Sequence, residues 1–369
     1  MAQIEIRNLY KSFKDNAVLT DLSLSVDKGE IVTVFGPSGT GKTVLLRLLA
    51  GIYAPDAGTI ALRGQDVDGR PPEKRGIGMA FQNFALFPHM SARDNIASAL
   101  TARKVGSGEI TRKVDAVAAM LKIDRVLDHS PRELSNGQKQ RTALARALVA
   151  DPDILLLDDP LRNVDAKLRY EMRLELPALL KRAGSTVLYV TQDFKEAMAL
   201  GDRVAVLLDG QIAQFDTPAR VYSEPASIGV AQLFGDPTLN LVEVEPRIVG
   251  GATEVLVGGS PIRLPAAYAA ASGGSYMLGL RPESLHLQDG DAAGAIPIDL
   301  VAVTPLNEKS VLLLTTGDGQ ELLASEAGNR DVARNVGPGH VALDLDAVLL
   351  FDRKSGRRFI PLVRNGAGA

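Results

Sequence analysis

The segment from residue 36 to residue 43 constrains the fold more than any other part of the sequence. It reads Gly-Pro-Ser-Gly-Thr-Gly-Lys-Thr, follows the apolar run Ile31–Phe35 and precedes a helical pattern over 44–50. This matches the pattern G-x-x-x-x-G-K-S/T in the strand, loop and helix context that the motif requires. Such a loop turns its backbone N–H groups inward around phosphate groups, and the helix N-terminus adds a partial positive charge. The predicted nucleotide-binding residues here are Gly36, Pro37, Ser38, Gly39, Thr40, Gly41, Lys42 and Thr43.

A pair of acidic residues suits the same site. Residues 154–157 form an apolar run that ends in Asp158 and Asp159. Proteins with a phosphate-binding loop deliver a Mg²⁺ ligand in this way, so we expect Asp158 and the Thr43 hydroxyl to bind Mg²⁺. Lys42 then contacts the β- and γ-phosphates, and Asp159 polarises the attacking water. Two acids after an apolar run also fit a solvated strand end, but the phosphate loop upstream favours the catalytic interpretation.

Short apolar runs without alternation predict a parallel sheet. Besides Ile31–Phe35 and 154–157, such runs occur at 187–190 and 204–208. Strands buried on both faces of a parallel sheet have this composition. The segment at about 83–135 has helical spacing instead, and we predict a helical insert there within an α/β domain. The residues that carry this spacing are Val114, Val117, Ala118 and Leu121.

The last third of the chain has a different composition. Of the 35 glycines, 17 lie after residue 235, which is typical of short strands joined by tight turns. Residues 234–237, Phe-Gly-Asp-Pro, form the predicted linker. We therefore predict an α/β nucleotide-binding domain over 1–235 and an all-β domain over 236–369.

Composition excludes several classes of protein. Lys and Arg number 41 against 44 Asp and Glu, so the net charge is −3, and a nucleic-acid partner, which usually requires a basic surface, is not expected. The absence of cysteine excludes disulfides and thiolate metal sites, and four histidines argue against a histidine-rich centre. No apolar run approaches the roughly 20 residues of a membrane helix, and the N-terminus lacks a secretory apolar core. We expect a cytoplasmic protein that reaches a membrane only by docking.

Residues 134–141, Leu-Ser-Asn-Gly-Gln-Lys-Gln-Arg, resemble the LSGGQ signature of ABC-transporter ATPases. Phosphate loop, signature and acidic strand come in that family's order, and the resemblance covers the whole chain. It implies ATP and Mg²⁺ as cofactors, a RecA-like P-loop core with a small antiparallel β subdomain and a helical subdomain, and a head-to-tail dimer with two ATP molecules between the chains. Each ATP would touch the phosphate loop of one chain and, on the other, Ser135, Asn136, Gly137, Gln138 and the D-loop residue Asp165.

The resemblance also implies roles for two single positions. Phe13 is similar to the aromatic residue that stacks on adenine. Gln82 is similar to the Q-loop glutamine, which contacts Mg²⁺ and water and moves with the membrane partner. From the residues alone, core packing for Phe13 and a plain surface position for Gln82 stay open.

The C-terminal segments at 278–284 and 350–356 are similar to the extension of maltose-type carbohydrate importers. That extension is an OB-like β-barrel used for dimerisation and regulation. The implied function is the ATPase motor subunit of a bacterial importer for a sugar, polyol or glycerol-type solute, peripheral on the cytoplasmic face of the inner membrane. The implied partners are a second ATPase subunit, two integral-membrane permease subunits and, indirectly, a solute-binding protein.

Other functions fit the sequence less well. A soluble, non-transport ABC ATPase usually carries two cassettes or coiled-coil and zinc inserts, whereas this chain has one cassette and no cysteine. A P-loop kinase leaves residues 134–141 unexplained. An importer for an inorganic anion, iron or a polyamine stays open, because the motor subunit need not touch the solute.

Several positions depart from the family pattern. Asp159 stands where the family has glutamate, and Gln192 stands where it has histidine. The D-loop, usually close to Ser-Ala-Leu-Asp, reads Arg-Asn-Val-Asp at 162–165. In the signature, Asn136 replaces a glycine. Aspartate places its oxygen on the order of 1 Å further from the water, and such a displacement costs about 100-fold in rate. Glutamine cannot carry a proton near pH 7. The candidate catalytic residues are Asp159, Gln192 and Gln82. Two interpretations stay open: tolerated drift in an active enzyme, and an impaired site complemented by an intact partner subunit.

Overall fold

The computed structural model describes residues 2–288, 294–306, 308–328 and 336–361. The chain forms two compact units, Met1–Val221 and Tyr222–Ala369. This division falls before the predicted boundary at residue 235, because the segment that follows Val221 belongs with the second unit.

The first unit contains two sheets and the helices that cover them. Its strands are β1 (Ala2–Phe13), β2 (Asn16–Asp27), β3 (Ile31–Phe35), β4 (Ala57–Leu62), β5 (Gln65–Asp66), β6 (Ile77–Ala80), β7 (Ile154–Asp158), β8 (Thr186–Thr191), β9 (Arg203–Leu208) and β10 (Gln211–Asp216). Its helices are α1 (Lys42–Ala50), α2 (Ala92–Ala102), α3 (Ser107–Met120), α4 (Asn136–Leu148), α5 (Ala166–Ala183), α6 (Phe194–Leu200) and α7 (Pro218–Ser223), the last of which runs across the division.

The six-stranded sheet has the order β10-β9-β3-β8-β7-β6. Neighbours from β9 to β6 are parallel, and β10 pairs antiparallel at one edge. Every residue of β3, β7 and β8 is buried. The continuous apolar runs are therefore explained by burial on both faces of the sheet, and the α/β prediction is confirmed. A four-stranded antiparallel sheet, β2-β1-β4-β5, completes the unit.

Two helices, α2 and α3, lie in the segment predicted as a helical insert. α2 packs against both α3 and α4. The residues at helical spacing, Val114, Val117, Ala118 and Leu121, are all buried in one core cluster with Ile96. The periodicity in the sequence thus marks the face of α3 that packs inward.

The second unit is all-β apart from α8 (Ile228–Leu233), the end of α7 and short 3₁₀ turns. Its strands are β11 (Asn240–Val244), β12 (Arg247–Val249), β13 (Ala252–Val257), β14 (Ser260–Arg263), β15 (Tyr276–Leu280), β16 (Leu285–Gln288), β17 (Ile296–Leu306), β18 (Lys309–Thr316), β19 (Glu321–Ala327), β20 (Gly337–Leu343) and β21 (Leu349–Asp352). They form three antiparallel sheets, ordered β11-β15-β21, β12-β13-β14 and β16-β20-β17-β18-β19. The all-β prediction for this part is confirmed.

The segment 278–284 carries a buried arginine that holds part of the second unit together. Arg281 is buried, donates hydrogen bonds to the carbonyls of Ala231 (3.3 Å), Phe234 and Tyr222 (2.7 Å), and stacks over the Tyr222 ring. Burial lowers the pKa of Arg281 to about 10. The arginine of this motif therefore anchors the segment around α8 to the strands.

None of the helices in the described ranges is both long and apolar enough to span a bilayer.

One buried arginine fixes the C-terminal end of α1, the helix that follows the phosphate loop. Arg75 is 4% exposed, and its Nη1 donates to the carbonyls of Leu48 and Leu49, each at 2.9 Å. Its Nε donates to the Arg70 carbonyl at 2.9 Å. Carbonyls in the last turn of a helix lack the usual partner within the helix, and Arg75 supplies donors to two of them. The Leu48 carbonyl also accepts from the Gly51 N–H at 3.1 Å, so Leu49 depends on Arg75 more than Leu48 does.

We expect Arg75→Met to lower the free energy of unfolding by about 2–4 kcal/mol, because it removes the bonds to the Leu48, Leu49 and Arg70 carbonyls and leaves the Leu49 carbonyl without this donor. Chemical denaturation of the full chain measures this. Arg70→Met is the matched control, since the Arg70 side chain is exposed and, among the described residues, donates a hydrogen bond only to Gln65. Equal stability of the Arg75→Met variant and the unmodified protein would show that Arg75 does not cap α1.

Candidate functional site

The predicted phosphate loop lies between the carboxyl end of β3 and the start of α1. Two of its glycines are required by the backbone. A Cβ at Gly36 would lie 2.3 Å from the carbonyl oxygen of Leu207, and Gly41 adopts a left-handed φ of 98° at the N-cap of α1. A side chain at either position would clash or strain the turn. The glycine spacing of the motif therefore has a direct cause in the geometry of the loop.

Lys42 is a buried cation held by its own loop. Its Nζ donates to the carbonyl oxygens of Gly36 (2.8 Å) and Pro37 (2.6 Å). Burial lowers the pKa of Lys42 to about 8, and the nearby carboxylates of Asp159 and Asp158 oppose that shift. Within the described ranges, the hydrogen bonds of this ammonium group go to dipoles, namely the two carbonyls and the Thr40 hydroxyl at 3.4 Å. An anion at this point would be a better partner than either carbonyl.

Thr43 and Asp158 meet as the sequence predicts. The Thr43 hydroxyl donates to Asp158 Oδ1 at 2.8 Å across the gap between α1 and β7. Burial raises the pKa of Asp158. A hydroxyl and a carboxylate oxygen in contact are hard oxygen ligands of the type that Mg²⁺ prefers. Within the described ranges no cluster of three or more His, Cys, Asp or Glu residues is present.

Asp159 differs from Asp158 in its backbone and in its partners. Its φ of 44° lies in the left-handed region, and its N–H donates to the Val190 carbonyl at 2.9 Å. The carboxylate is buried, and Oδ2 accepts no hydrogen bond from any described residue. Burial raises the pKa of Asp159 to about 6, while the Arg162 cation opposes that shift. A buried acceptor without a donor suits a carboxylate that binds a water or ligand group absent from the protein alone.

The strand register brings Gln82 and Gln192 to the same edge. Ala80 of β6 pairs with Leu157, Asp158 of β7 pairs with Val190, and Thr191 of β8 pairs with Phe35 of β3. The carboxyl ends of these four parallel strands therefore coincide, which is where α/β sheets bind ligands. The sequence-predicted residues that follow these strands at this edge are Gln82, Asp159, Gln192 and the loop 36–43.

A buried carboxylate supports the turn that carries Gln192. Glu196 accepts hydrogen bonds from the Tyr189 hydroxyl (2.9 Å) and the Thr191 hydroxyl (2.8 Å). Burial raises the pKa of Glu196 to about 6. Gln192 itself is exposed at the end of β8. The site thus presents an amide to solvent where the family has an imidazole.

Phe13 is not a core residue. It lies at the end of β1, is 40% exposed, and packs edge-on against Tyr53 with ring centroids 5.3 Å apart. Lys11 Nζ lies 5.3 Å from the ring centroid. Because the ring is partly free and supported from one side, the core-packing alternative does not apply. An exposed, supported ring can stack on a nucleotide base.

The signature residues lie at the N-terminus of α4. Ser135 is the N-cap, and it forms a capping box with Gln138: the Ser135 hydroxyl accepts from the Gln138 N–H, and the Gln138 side chain accepts from the Ser135 N–H. Gly137 is buried, and a Cβ there would lie 2.3 Å from Leu168. Asp165 caps α5 by accepting from the Leu168 N–H at 3.0 Å. Asn136 is exposed. These residues belong to two helix starts rather than to the loop 36–43.

Sequence reasoning missed how the segment after β6 is fixed. Arg146 of α4 donates to the carbonyls of Phe84 (3.1 Å) and Ala85 (2.7 Å), and both residues have left-handed φ values, 61° and 48°. Asn163 donates to the Gln82 carbonyl at 2.9 Å. The segment 82–85 is therefore tied both to α4 and to the segment 162–165. In the sequence, the only sign of these contacts is that residues 162–165 differ from the usual Ser-Ala-Leu-Asp. That difference does not identify the residues they contact.

Comparisons with known proteins agree with this geometry. The family model described as ABC transporter matches residues 19–162. The sn-glycerol-3-phosphate import ATP-binding protein UgpC of Ruegeria pomeroyi is 39% identical over 369 residues, which cover 97% of this chain and 99% of the relative. The spermidine/putrescine import ATP-binding protein PotA of Nitratidesulfovibrio vulgaris is 38% identical, covering 91% of this chain and 93% of the relative.

A solved structure extends the likeness to the fold. The dimeric structure of MJ0796, a bacterial ABC transporter cassette, matches with a TM-score of 0.53 and 29% sequence identity, covering 58% of this chain and 98% of that one. A post-hydrolysis state of the same cassette was solved with ADP and Pi bound. With relatives near 40% identity over almost its full length, the chain belongs to the family of ABC-transporter ATP-binding proteins, which are ATPases.

Proposed function

We propose that this chain is the ATP-driven motor subunit of a bacterial importer for a glycerol-phosphate, polyol or sugar solute. The observation that carries the proposal is the meeting, at one edge of the parallel sheet, of Lys42, the Thr43–Asp158 pair and the Asp159 Oδ2, which accepts no hydrogen bond from the described residues. Lys42 supplies a cation that binds phosphate, the Thr43–Asp158 pair supplies oxygen ligands for a metal ion, and Asp159 supplies a carboxylate that can orient a water molecule. The name of the full-length relative from Ruegeria pomeroyi supports the solute class.

Each residue of the site has a distinct role in this proposal. Lys42 exchanges its carbonyl partners for the β- and γ-phosphates of ATP, and the N–H groups of residues 36–43 hold the remaining phosphate oxygens. Thr43, Asp158 and Gln82 hold Mg²⁺, which neutralises charge on the phosphates. Asp159 orients the attacking water and accepts its proton. Phe13 stacks on the adenine.

The partners in this proposal complete the site and connect it to transport. A second ATPase subunit supplies the signature residues of the opposite site, since Ser135, Gly137 and Gln138 start a helix rather than line their own loop. Two integral-membrane permease subunits dock near Gln82 and residues 83–95, and the solute-binding protein acts through them. The chain is then peripheral, on the cytoplasmic face of the cell membrane. Gln82 transmits the movement of the permeases to the nucleotide. Its carbonyl accepts a hydrogen bond from Asn163 of the D-loop.

We further propose that this chain supplies a weak hydrolytic half-site. Asp159 is one methylene shorter than the glutamate usual in the family, and Gln192 cannot carry a proton near pH 7. The groups that hold phosphate and metal are intact. ATP binding is therefore retained while hydrolysis is slowed, and an intact ATPase partner compensates. A slow homodimer is the close alternative.

A polyamine or other solute is the second candidate, and one observation favours it: the PotA relative is 38% identical over 91% of this chain. Purification of the protein from its native membrane tests the importer proposal and separates these solutes. We expect permease subunits to co-purify, and the solute that their binding protein retains identifies the substrate. A protein recovered without any membrane subunit would favour a soluble, non-transport ABC ATPase.

Replacement of Lys42 tests the phosphate site. We expect Lys42→Ala to weaken MgATP binding by at least about tenfold, because the charge-assisted bonds to the β- and γ-phosphates are lost. Titration calorimetry on the full chain measures this. Lys28→Ala removes the same charge from an exposed turn after β2 and should bind like the unmodified protein. Undiminished binding by a folded Lys42→Ala variant would contradict the assignment of residues 36–43.

Restoration of the usual residues tests the weak half-site. We expect the purified chain to hydrolyse ATP well below a rate on the order of 1 per second, and Asp159→Glu combined with Gln192→His to raise that rate about 10- to 100-fold. The two changes are made together because residues that act as a unit are not additive. Steady-state phosphate release measures both proteins. An ordinary starting rate with no gain from the double change would favour tolerated drift.

A further inference from the structure

Arg162 is a half-exposed cation on a fixed backbone. Its N–H donates to the Asp159 carbonyl (3.3 Å), and its own carbonyl accepts from Arg169 Nη2 (3.1 Å). The side chain is 48% exposed, and its guanidinium donates no hydrogen bond to any residue in the described ranges. The position of the D-loop is therefore set by the backbone, while the five N–H donors of the guanidinium remain available.

The charge of Arg162 faces the phosphate site of its own chain. Its Nη1 lies 3.7 Å from Asp159 Oδ2, the buried oxygen without a hydrogen bond. Lys42, at the start of α1, is a second cation at this edge of the sheet. Burial is the main cause of the lowered pKa of Lys42, and the Arg162 charge is a smaller one. An anion that reaches both cations gains an attraction from each.

We propose that Arg162 binds the terminal phosphate of ATP and so makes this site prefer ATP to ADP. The proposal rests on the assignment of residues 36–43 as the nucleotide phosphate site. A guanidinium fork matches two phosphate oxygens and forms short, charge-assisted hydrogen bonds with them. Lys42 serves both the β- and γ-phosphates, whereas Arg162 reaches in from the side of Asp159, where the attacking water is expected. Arg162 therefore contacts the group that ADP lacks.

This role fits the departures around it. The residue at this place in the family is a small serine, which carries no charge. Here the arginine comes together with a shorter carboxylate and with Gln192 in place of histidine. The side chain that lies 3.7 Å from Asp159 can contact that carboxylate and a phosphate at once, because a guanidinium presents more than one edge. Arg162 then holds the terminal phosphate in a site that hydrolyses it slowly.

Nucleotide affinities of the full-length protein test the proposal. We expect Arg162→Ala to weaken binding of the β,γ-imido analogue of ATP about tenfold, with Mg²⁺ present, and to change ADP affinity less than about twofold. Arg162→Lys should recover part of the loss, because it keeps the charge but not the fork. Lys167→Ala is the matched control: it removes one exposed positive charge nearby on α5 and should leave both affinities unchanged.

Three outcomes would overturn the role of Arg162: equal losses for both nucleotides, no loss for either, or tighter binding of the ATP analogue. Tighter binding would mean that Arg162 pairs with Asp159 and makes no contact with the phosphate. Thermal unfolding of each variant verifies that it is folded. Lys42→Ala in the same assay separates this proposal from the proposed function. If the unmodified protein binds neither nucleotide, the proposed function fails; if Lys42→Ala alone loses binding, only the role of Arg162 fails.

Discussion

The buried ammonium of Lys42 is the constraint on which the rest of the site depends. A lysine that is 4% exposed must have strong partners, and the loop supplies the carbonyls of Gly36 and Pro37. Gly36 lies against the Leu207 backbone, where no side chain fits. Leu207 belongs to β9, the parallel neighbour of β3. The sheet order thus shapes the loop, and the loop holds the cation ready for an anion.

The remaining charges are arranged around that cation by strand register. β7 ends beside β8, and β8 beside β3, so Asp158, Asp159 and Gln192 emerge at the same edge as the phosphate loop. Asp158 is turned toward Thr43, while Asp159, with its left-handed φ, keeps an oxygen without a donor. In the proposed function, binding and hydrolysis therefore depend on different atoms. That separation is what lets the proposed weak half-site keep its nucleotide.

Much of this could be predicted from the sequence, because the relevant signals are local. Strand β3, the loop 36–43 and α1 are adjacent in the chain, and burial on both faces leaves a continuous apolar run in β7 and β8. The contacts made by Arg162, Asn163 and Arg146 could not be predicted, since each joins segments whose approach depends on tertiary packing. The left-handed φ values of Phe84 and Ala85 were equally hidden, because neither residue type favours that conformation. The division after Val221 could not be predicted either. The amino-acid composition of α8 does not distinguish it from the helices of the first unit, so the predicted boundary fell at residue 235.

The most direct test of the account is whether the nucleotide bound to the purified protein remains ATP or is hydrolysed. The protein is incubated with Mg²⁺ and ATP labelled at the γ-phosphate, freed of unbound nucleotide by rapid gel filtration, and the retained label is separated into ATP and phosphate over time. A phosphate site that binds strongly and hydrolyses slowly predicts that intact ATP stays bound for minutes. Conversion of the label from ATP to phosphate within seconds, or no retained label when the column is run immediately after mixing, would contradict it.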